Sequence, residues 1–274
     1  MTTESGSAAE RHTGASERPR PPLIAWFLIV DADGRPGATN MATDWALLRQ
    51  AARGSAFLRL YRWSPPCLSF GRNEPATARY DVERIQALGL DTVRRPTGGR
   101  AVWHEQELTY AVAAPSDLFG TLRQAYISIH QVLADGLRAL GAPVQLAGRP
   151  RGPAIGPGGG ACFSSPVGGE IVARGLKLVG SAQVREGTAF LQHGSVLLEN
   201  GQDIVTQVMR GPSVAPAATS LSTVLDRPVS FDEVASMFAA SARDWWHGHW
   251  ETTSATCSEE DRARFEDPSW TYCR

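Results

Sequence analysis

Cys162 and Lys177 carry the most evident chemistry in this sequence. Cys162 follows Gly158-Gly159-Gly160-Ala161, where backbone can approach a ligand closely, and precedes Phe163-Ser164-Ser165-Pro166. Lys177 lies in Gly175-Leu176-Lys177-Leu178-Val179-Gly180-Ser181-Ala182-Gln183, a strand-like run with glycine on either side. A free thiol titrates near ~8.5, so a neighbouring ammonium favours the nucleophilic thiolate, while desolvation lowers a lysine until it can accept a proton. Either route activates a cysteine for covalent catalysis at neutral pH. Taken singly, each residue has a plainer account: a small buried hydrophobe for a cysteine, a solvated strand residue for a lysine. Cys67, inside an apolar run, fits the plainer account, and Cys257 and Cys273 lie in a polar stretch with no catalytic signature.

A second dense patch is Arg94-Arg95-Pro96-Thr97-Gly98-Gly99-Arg100-Ala101-Val102-Trp103-His104. One account is a two-glycine hairpin with exposed arginines. The other brings the backbone N–H groups of Gly98 and Gly99 against a carbonyl or phosphate while the arginines grip an anion. His193 could pair with Cys162 as in a thiol hydrolase, although a lone strand histidine is more often a structural hydrogen-bonder. His247 and His249, flanked by Trp245, Trp246 and Trp250, read as aromatic packing at a helix end rather than a metal edge. Asp44 reads as local helix or cap chemistry.

The elements that must position these residues fit an ordinary globular chain of 274 residues, one large domain or two small ones, with 42% hydrophobic and 20% charged residues. Lys+Arg number 27 against Asp+Glu 28, so no basic surplus drives nucleic-acid binding. Four scattered cysteines without a CxxC pair fit a reducing cytoplasm better than a disulfide or zinc framework. The apolar run from Leu23 to Val30 is closed by Asp31, far short of the roughly 20 residues of a membrane span. Residues 1–22 read as a disordered tail, with Glu4, Glu10 and Glu17 arguing against a transit peptide.

The apolar pattern predicts a buried strand from Leu23 to Val30, a helix over Asn40–Leu48 with its apolar face at Met41, Trp45 and Leu48, and a half-buried strand over Phe57–Trp63. A strand at Cys67–Gly71 and an Asp81-capped helix ending at Gly89 follow. Strands at Thr92–Arg95, Ala101–His104 and Leu108–Ala114 come next. Leu118–Leu140 is the longest helix candidate and should pack on the sheet. Residues 148–160 hold six glycines and three prolines, too much freedom for a regular element. Hairpin-like strands around Glu170–Ala173, Lys177–Val184 and Ala189–Leu198 precede a helix opened by a Ser230-to-Glu233 capping box.

Taken in order, Asn40–Asp44, Tyr61–Pro66, Arg94–His104 running into Glu107–Tyr110, Cys162-Phe163, Gly175–Gln183 and Leu191–Ser195 resemble the catalytic domain shared by lipoate-protein ligases, octanoyl transferases and biotin-protein ligases. The agreement spans about residues 23–245. It is most similar to the cysteine-dependent octanoyl transferases and lipoyl amidotransferases, because a thiol stands at Cys162 and Arg100 follows Gly98-Gly99 where ATP-using ligases carry a third glycine. Gly168-Gly169-Glu170 departs from the aromatic-rich segment often found after the Cys-Phe pair.

The resemblance implies an α/β (α+β) fold, a mixed, largely antiparallel sheet with packed helices, over a catalytic domain at 23–250 and a C-terminal extension at 251–274. It implies Cys162 as nucleophile and Lys177 as its partner. Arg94, Arg95, Thr97, Gly98, Gly99, Arg100, Ala101, Val102, His104, Gly180, Ser181, Ala182, Gln183 and His193 would bind substrate. Acyl carrier protein as donor, a lipoyl domain or glycine-cleavage H protein as acceptor, and no cofactor are implied. Free lipoate with ATP and Mg²⁺ belongs to the ligase alternative, and a noncatalytic acyl-binding protein is the alternative from another class.

Overall fold

The computed structural model describes residues 24–148, 168–211 and 216–273. The expected N-terminal tail, nearly all of the Gly/Pro loop and Cys162 lie outside the described residues. In chain order the elements are β1 (Ala25–Arg35), α1 (Gly37–Ala51), β2 (Ala56–Trp63), β3 (Cys67–Phe70), α2 (Ala76–Arg79), α3 (Val82–Ala87) and β4 (Asp91–Arg94). Then come β5 (Val102–His104), β6 (Glu107–Pro115), α4 (Leu122–Ala139), β7 (Val144–Leu146), β8 (Ile171–Ala173), β9 (Leu176–Lys177), β10 (Val179–Glu186) and β11 (Ala189–Leu197). The chain closes with α5 (Asp203–Gln207), α6 (Leu221–Leu225), α7 (Phe231–Trp245), β12 (His249–Thr252), α8 (Glu259–Glu266) and α9 (Pro268–Thr271).

The main sheet runs β10-β11-β6-β2-β1-β12, antiparallel from β10 to β2 and parallel from β2 to β12. It is the mixed sheet with packed helices that the sequence predicts. Side chains alternate across it: Leu58, Leu60, Tyr110 and Val112 face a core shared with α4 and α7, whereas Phe57, Tyr61, Ala111 and Leu191 face one shared with α1. Both faces are therefore covered. That corrects the half-buried reading of β2, where every residue except Arg62 is buried.

Helix α4 begins at Leu122 rather than Leu118, because Thr121 accepts from the Gln124 N–H and the Gln124 side chain answers the Thr121 N–H. This reciprocal cap fixes the start, and Ile129, Val132, Leu133 and Leu137 are buried on the sheet as expected. At α7, Ser230 caps Glu233 N–H, but the Glu233 carboxylate pairs with Arg227 instead of closing the box. Trp26, Trp246 and Trp250 cluster with near-parallel rings, Trp26 lying 4.8 and 5.1 Å from the other two, the aromatic packing expected around His247 and His249.

A second sheet has the order β4-β3-β5, with β4 parallel and β5 antiparallel to β3. Gly98-Gly99 thus closes no hairpin between β4 and β5, and the exposed-arginine reading is overturned. Gly71, lacking a side chain, lets the Gly99 backbone lie directly against it, while the Arg72 N–H donates to the Thr97 carbonyl at 2.7 Å. Arg94 turns fully inward, its guanidinium donating to the carbonyls of Gly71, Arg72 and Glu74 and to those of Trp270, Thr271 and Cys273. It ties the C-terminal residues to the body of the protein, where Phe265 of α8 joins the α1 core. Strand β12 runs across residue 250, the position at which the sequence places a boundary.

Cys67 is fully buried, and burial pushes its thiol well above the usual range, as a structural cysteine requires. Among the described residues no helix is long and apolar enough to cross a membrane.

Candidate active site

A narrow pocket opens where α1, the main sheet and the second sheet meet. Met41, Tyr61, Trp63, Thr109, His193 and Ser195 line it from α1, β2, β6 and β11. Gly180, Ser181, Ala182 and Gly194 contribute the β10–β11 ladder, and Arg95, Val102 and His104 arrive from the second sheet. The register Gly180↔Ser195, Ser181↔Gly194 and Ala182↔His193 brings the Gly180–Gln183 and Gln192–Ser195 strings side by side.

Most polar groups here are bonded to one another. Asp44, fully buried on α1, accepts from Arg59 (2.8 Å), Tyr61 Oη (2.8 Å) and His193 Nδ1 (3.0 Å). Burial alone would raise its carboxyl, but the His193 hydrogen bond and the Arg59 charge outweigh that and hold it below the ordinary range. Asp44 is thus a tertiary hub, not the local cap its position in the sequence suggested. Thr97 Oγ1 meets His193 Nε2 at 2.6 Å, so both ring nitrogens of His193 are engaged. Cys162, the partner that a thiol-hydrolase reading would give His193, lies outside the described residues.

Nearby, Glu107 accepts from His104 Nδ1 (2.7 Å), Ser195 Oγ (2.9 Å) and Thr109 Oγ1. His104 Nε2 meets Ser69 Oγ at 2.6 Å, Trp63 stacks on the His104 ring at 4.0 Å, and the Trp63 indole donates to Thr109. With hydroxyl, imidazole and indole groups so committed, the surface left for a ligand is largely carbon.

Lys177 is the single lysine of the chain. It is 1% exposed, and its Nζ lies 2.7 Å from Oε1 of Glu170, itself 3% exposed. The strand expected from Lys177 to Val184 is broken at Leu178: Lys177 belongs to β9, which pairs with β8, while its N–H donates to the Ala217 carbonyl at 3.0 Å. Beside the pair, Ser181 Oγ meets Tyr110 Oη at 2.7 Å and His130 Nε2 at 2.9 Å. Burial first, and the Lys177 charge second, push His130 down to about 3, so its ring is neutral at physiological pH.

The structure gathers Arg95, Val102, His104, Gly180, Ser181, Ala182 and His193 at the pocket, with Thr97 one hydrogen bond behind His193. Gly99 lies over Arg95 and Ala182, and Arg95 holds the turn by donating to the carbonyls of Gly98 and Arg100. Three predicted residues stand elsewhere. Arg94 is committed to backbone carbonyls, Ala101 is buried in a cluster with Leu68 and Phe70, and Gln183 donates to Gln192 and the Leu122 carbonyl. The sequence reading missed Glu170, His130, Tyr110 and the hub role of Asp44.

Gly194 admits the contact between Ser181 and Tyr110: a Cβ there would meet the Gly180 carbonyl oxygen at 2.6 Å, Tyr110 Cε1 at 2.9 Å and the Ser181 hydroxyl. Gly194→Ala is expected to cost about 1–3 kcal/mol, as overpacked interiors do, and to weaken ligand binding in the pocket. Chemical denaturation and calorimetric titration with octanoate would measure both, and an unaltered protein would contradict this account of the glycine.

The family model described as lipoyl protein ligase A/B catalytic domain matches residues 36–243. The octanoyltransferase LipM of Moorella thermoacetica is 39% identical over 218 residues, covering 78% of this chain and 80% of its own. That of Kyrpidia tusciae is 36% identical over 275 residues, covering 91% and 99%. A solved lipoate-protein ligase A bound with ATP has a TM-score of 0.72 at 22% identity, covering 91% of this chain and 98% of that one. The bi-partite lipoate protein ligase of Thermoplasma acidophilum gives 0.64 at 21%, covering 92% and 98%. These two structures share the fold. The protein is an acyltransferase. It belongs to the lipoyl protein ligase A/B catalytic domain family.

Proposed function

We propose that the protein moves an octanoyl group from octanoyl acyl-carrier protein, through an acyl-Cys162 intermediate, to a lysine amine of a lipoyl domain or glycine-cleavage H protein, in the cytoplasmic biosynthesis of lipoate. In the first half, Cys162 sulfur bonds to the thioester carbonyl carbon, the bond to the carrier sulfur breaks, and the thiol proton ends on the carrier. In the second, the acceptor nitrogen bonds to the same carbon, the Cys162 sulfur departs, and a proton from the amine returns to it. Lys177 orients the carbonyl and manages the proton. Backbone N–H groups at Gly98 and Gly99 assist at the oxyanion.

The observation that carries this reading is the placement of the only lysine, buried in an ion pair one strand break away from Gly180, Ser181 and Ala182 of the apolar slot. An eight-carbon chain contributes ~0.8 kcal/mol per buried CH₂, enough for a slot of this kind to select medium-chain acyl groups. The names of the LipM relatives agree with octanoyl as that group. A thioester is already activated, so the reading calls on no cofactor; a free acid would need ATP and Mg²⁺ first.

Incubation with octanoyl acyl-carrier protein followed by intact-mass measurement is expected to show one octanoyl group, released by hydroxylamine, on wild type and none on Cys162→Ala. Because the chain holds a single lysine, an amide-linked adduct is readily told from a thioester. Modification persisting in Cys162→Ala, ligand binding without turnover, or product formed only from free lipoate with ATP and Mg²⁺ would overturn the proposal.

A further inference from the structure

Ser181 lies at the mouth of the slot. Tyr61, Thr109, Ser195 and Gly180 stand in register across β2, β6, β11 and β10, so the slot crosses four strands. Among the residues that line it, Met41 and Tyr61 are fully buried, and only Ser181 and Ala182 are partly exposed. An acyl tail delivered by a carrier therefore reaches inward from Ser181 and Ala182 and leaves its carbonyl beside them. Gly99 marks the same spot, since a Cβ there would lie 3.9 Å from that of Ala182.

The hydrogen bonds behind Ser181 run in one direction. A carbonyl can only accept, so the Gln183 amide nitrogen faces that of Leu122 at 3.1 Å, and it also donates to Gln192 Oε1 at 2.9 Å. The Gln192 nitrogen is left to donate to Tyr110 Oη at 2.8 Å. The phenol in turn gives its hydrogen to Ser181 Oγ at 2.7 Å in preference to His130 Nε2 at 3.4 Å.

His130 donates to the same oxygen. Its ring is neutral and carries one N–H. Nδ1 is buried without a partner, so a hydrogen placed there would be an interior donor with no acceptor. On Nε2 it meets Ser181 Oγ at 2.9 Å. Ser181 thus receives two hydrogen bonds from the interior, and its own hydrogen has no acceptor among the described residues.

We propose that Ser181 is a catalytic hydrogen-bond donor for acyl transfer: its hydroxyl, turned toward the slot by Tyr110 and His130, donates to the acyl carbonyl oxygen as negative charge builds there. This rests on the octanoyl-transfer reading and adds a side-chain donor to the backbone N–H groups of Gly98 and Gly99. Two incoming hydrogen bonds strengthen the hydroxyl as a donor, and its proton stays on the serine throughout. Gln183, Gln192, Tyr110 and His130 are positioning residues that act through it.

The stretch of a ¹³C-labelled thioester carbonyl reports this bond directly, because a hydrogen bond to the oxygen lowers its frequency. In Cys162→Ala, which cannot take up the acyl group, bound octanoyl acyl-carrier protein so labelled is expected to show an infrared band below that of the free carrier. Adding Ser181→Ala should move the band toward the free position. Adding Tyr110→Phe, which keeps the hydroxyl but removes one donor to it, should leave the band in between. With Cys162 present, the single-turnover rate constant should fall about 10²-fold in Ser181→Ala and less in Tyr110→Phe, with the half-saturating carrier concentration little changed.

A purely structural role for Ser181 would lower the melting temperature and leave the band and the rate constant in place, which would overturn the proposal. So would Tyr110→Phe matching Ser181→Ala in both. If acylation proceeds and the band ignores Ser181, this proposal fails alone. If wild type takes up no acyl group while the band still responds to Ser181, the transfer reading fails and the contact stands. Failure of the carrier to bind Cys162→Ala would overturn both.

Discussion

Lys177→Ala is expected to slow single-turnover acyl transfer by about 10²–10³-fold, the loss typical of removing one preorganised donor. It should also lower the unfolding free energy by about 3–5 kcal/mol, because it removes one partner of the buried Lys177–Glu170 ion pair. The two losses have different remedies. Pairing Lys177→Met with Glu170→Gln replaces the ion pair by neutral groups of similar size, which is commonly neutral or stabilising. That double variant is therefore expected to regain stability and remain inactive. Urea unfolding and rapid-quench kinetics on the single and double variants separate the effects. Recovery of transfer in the double variant would remove Lys177 from the chemistry, and wild-type stability in Lys177→Ala would show that the pair bears no load in the fold.

Asp44→Ala carries the second large effect. It leaves Arg59, Tyr61 and His193 with donors that lose their acceptor inside a closed core, at an expected cost of about 3–5 kcal/mol. Arg59 keeps Asp31, whose carboxylate it reaches at 2.8 Å, so the chain should still fold. The pocket should suffer more than the scaffold, because His193 and Tyr61 both line it. Asp44→Asn, which preserves shape and one acceptor, should lose less on both counts.

The pH dependence of this hub has a definite sign. Asp44 has a folded pKa below the ordinary 3.8, so its contribution is complete above about pH 4 and lost only as pH falls through the lower folded value. His193 is lowered by burial and held neutral. Below its ordinary 6.5 the unfolded chain takes up a proton that the folded ring does not, so stability declines as pH falls through that value. Thermal melts from pH 7 to 3 should show the histidine-linked decline first in wild type. An acid transition unchanged in Asp44→Asn would contradict the hub.

Features that depend on local pattern are legible along the chain. Alternation in β2, β6 and β11, the three-and-four spacing of Ile129, Val132, Leu133 and Leu137, and the caps at Asp81 and Ser230 are short-range physics, readable residue by residue. The ordered strings that mark the family are likewise contiguous, which is why Arg95, His104, Gly180–Ala182 and His193 can be named from the amino-acid order. What those residues touch depends on the packed chain. Arg94 and Arg95 are adjacent and alike in sequence, yet one clamps the C-terminal carbonyls and the other lines the slot, because β3 lies between β4 and β5 and the chain turns inward against Gly71. Asp44 and His193 are 149 residues apart, and Glu170 meets Lys177 only through a hairpin turn. A buried charge must find its counter-charge wherever the folded backbone provides one, and one-dimensional pattern carries no record of that choice.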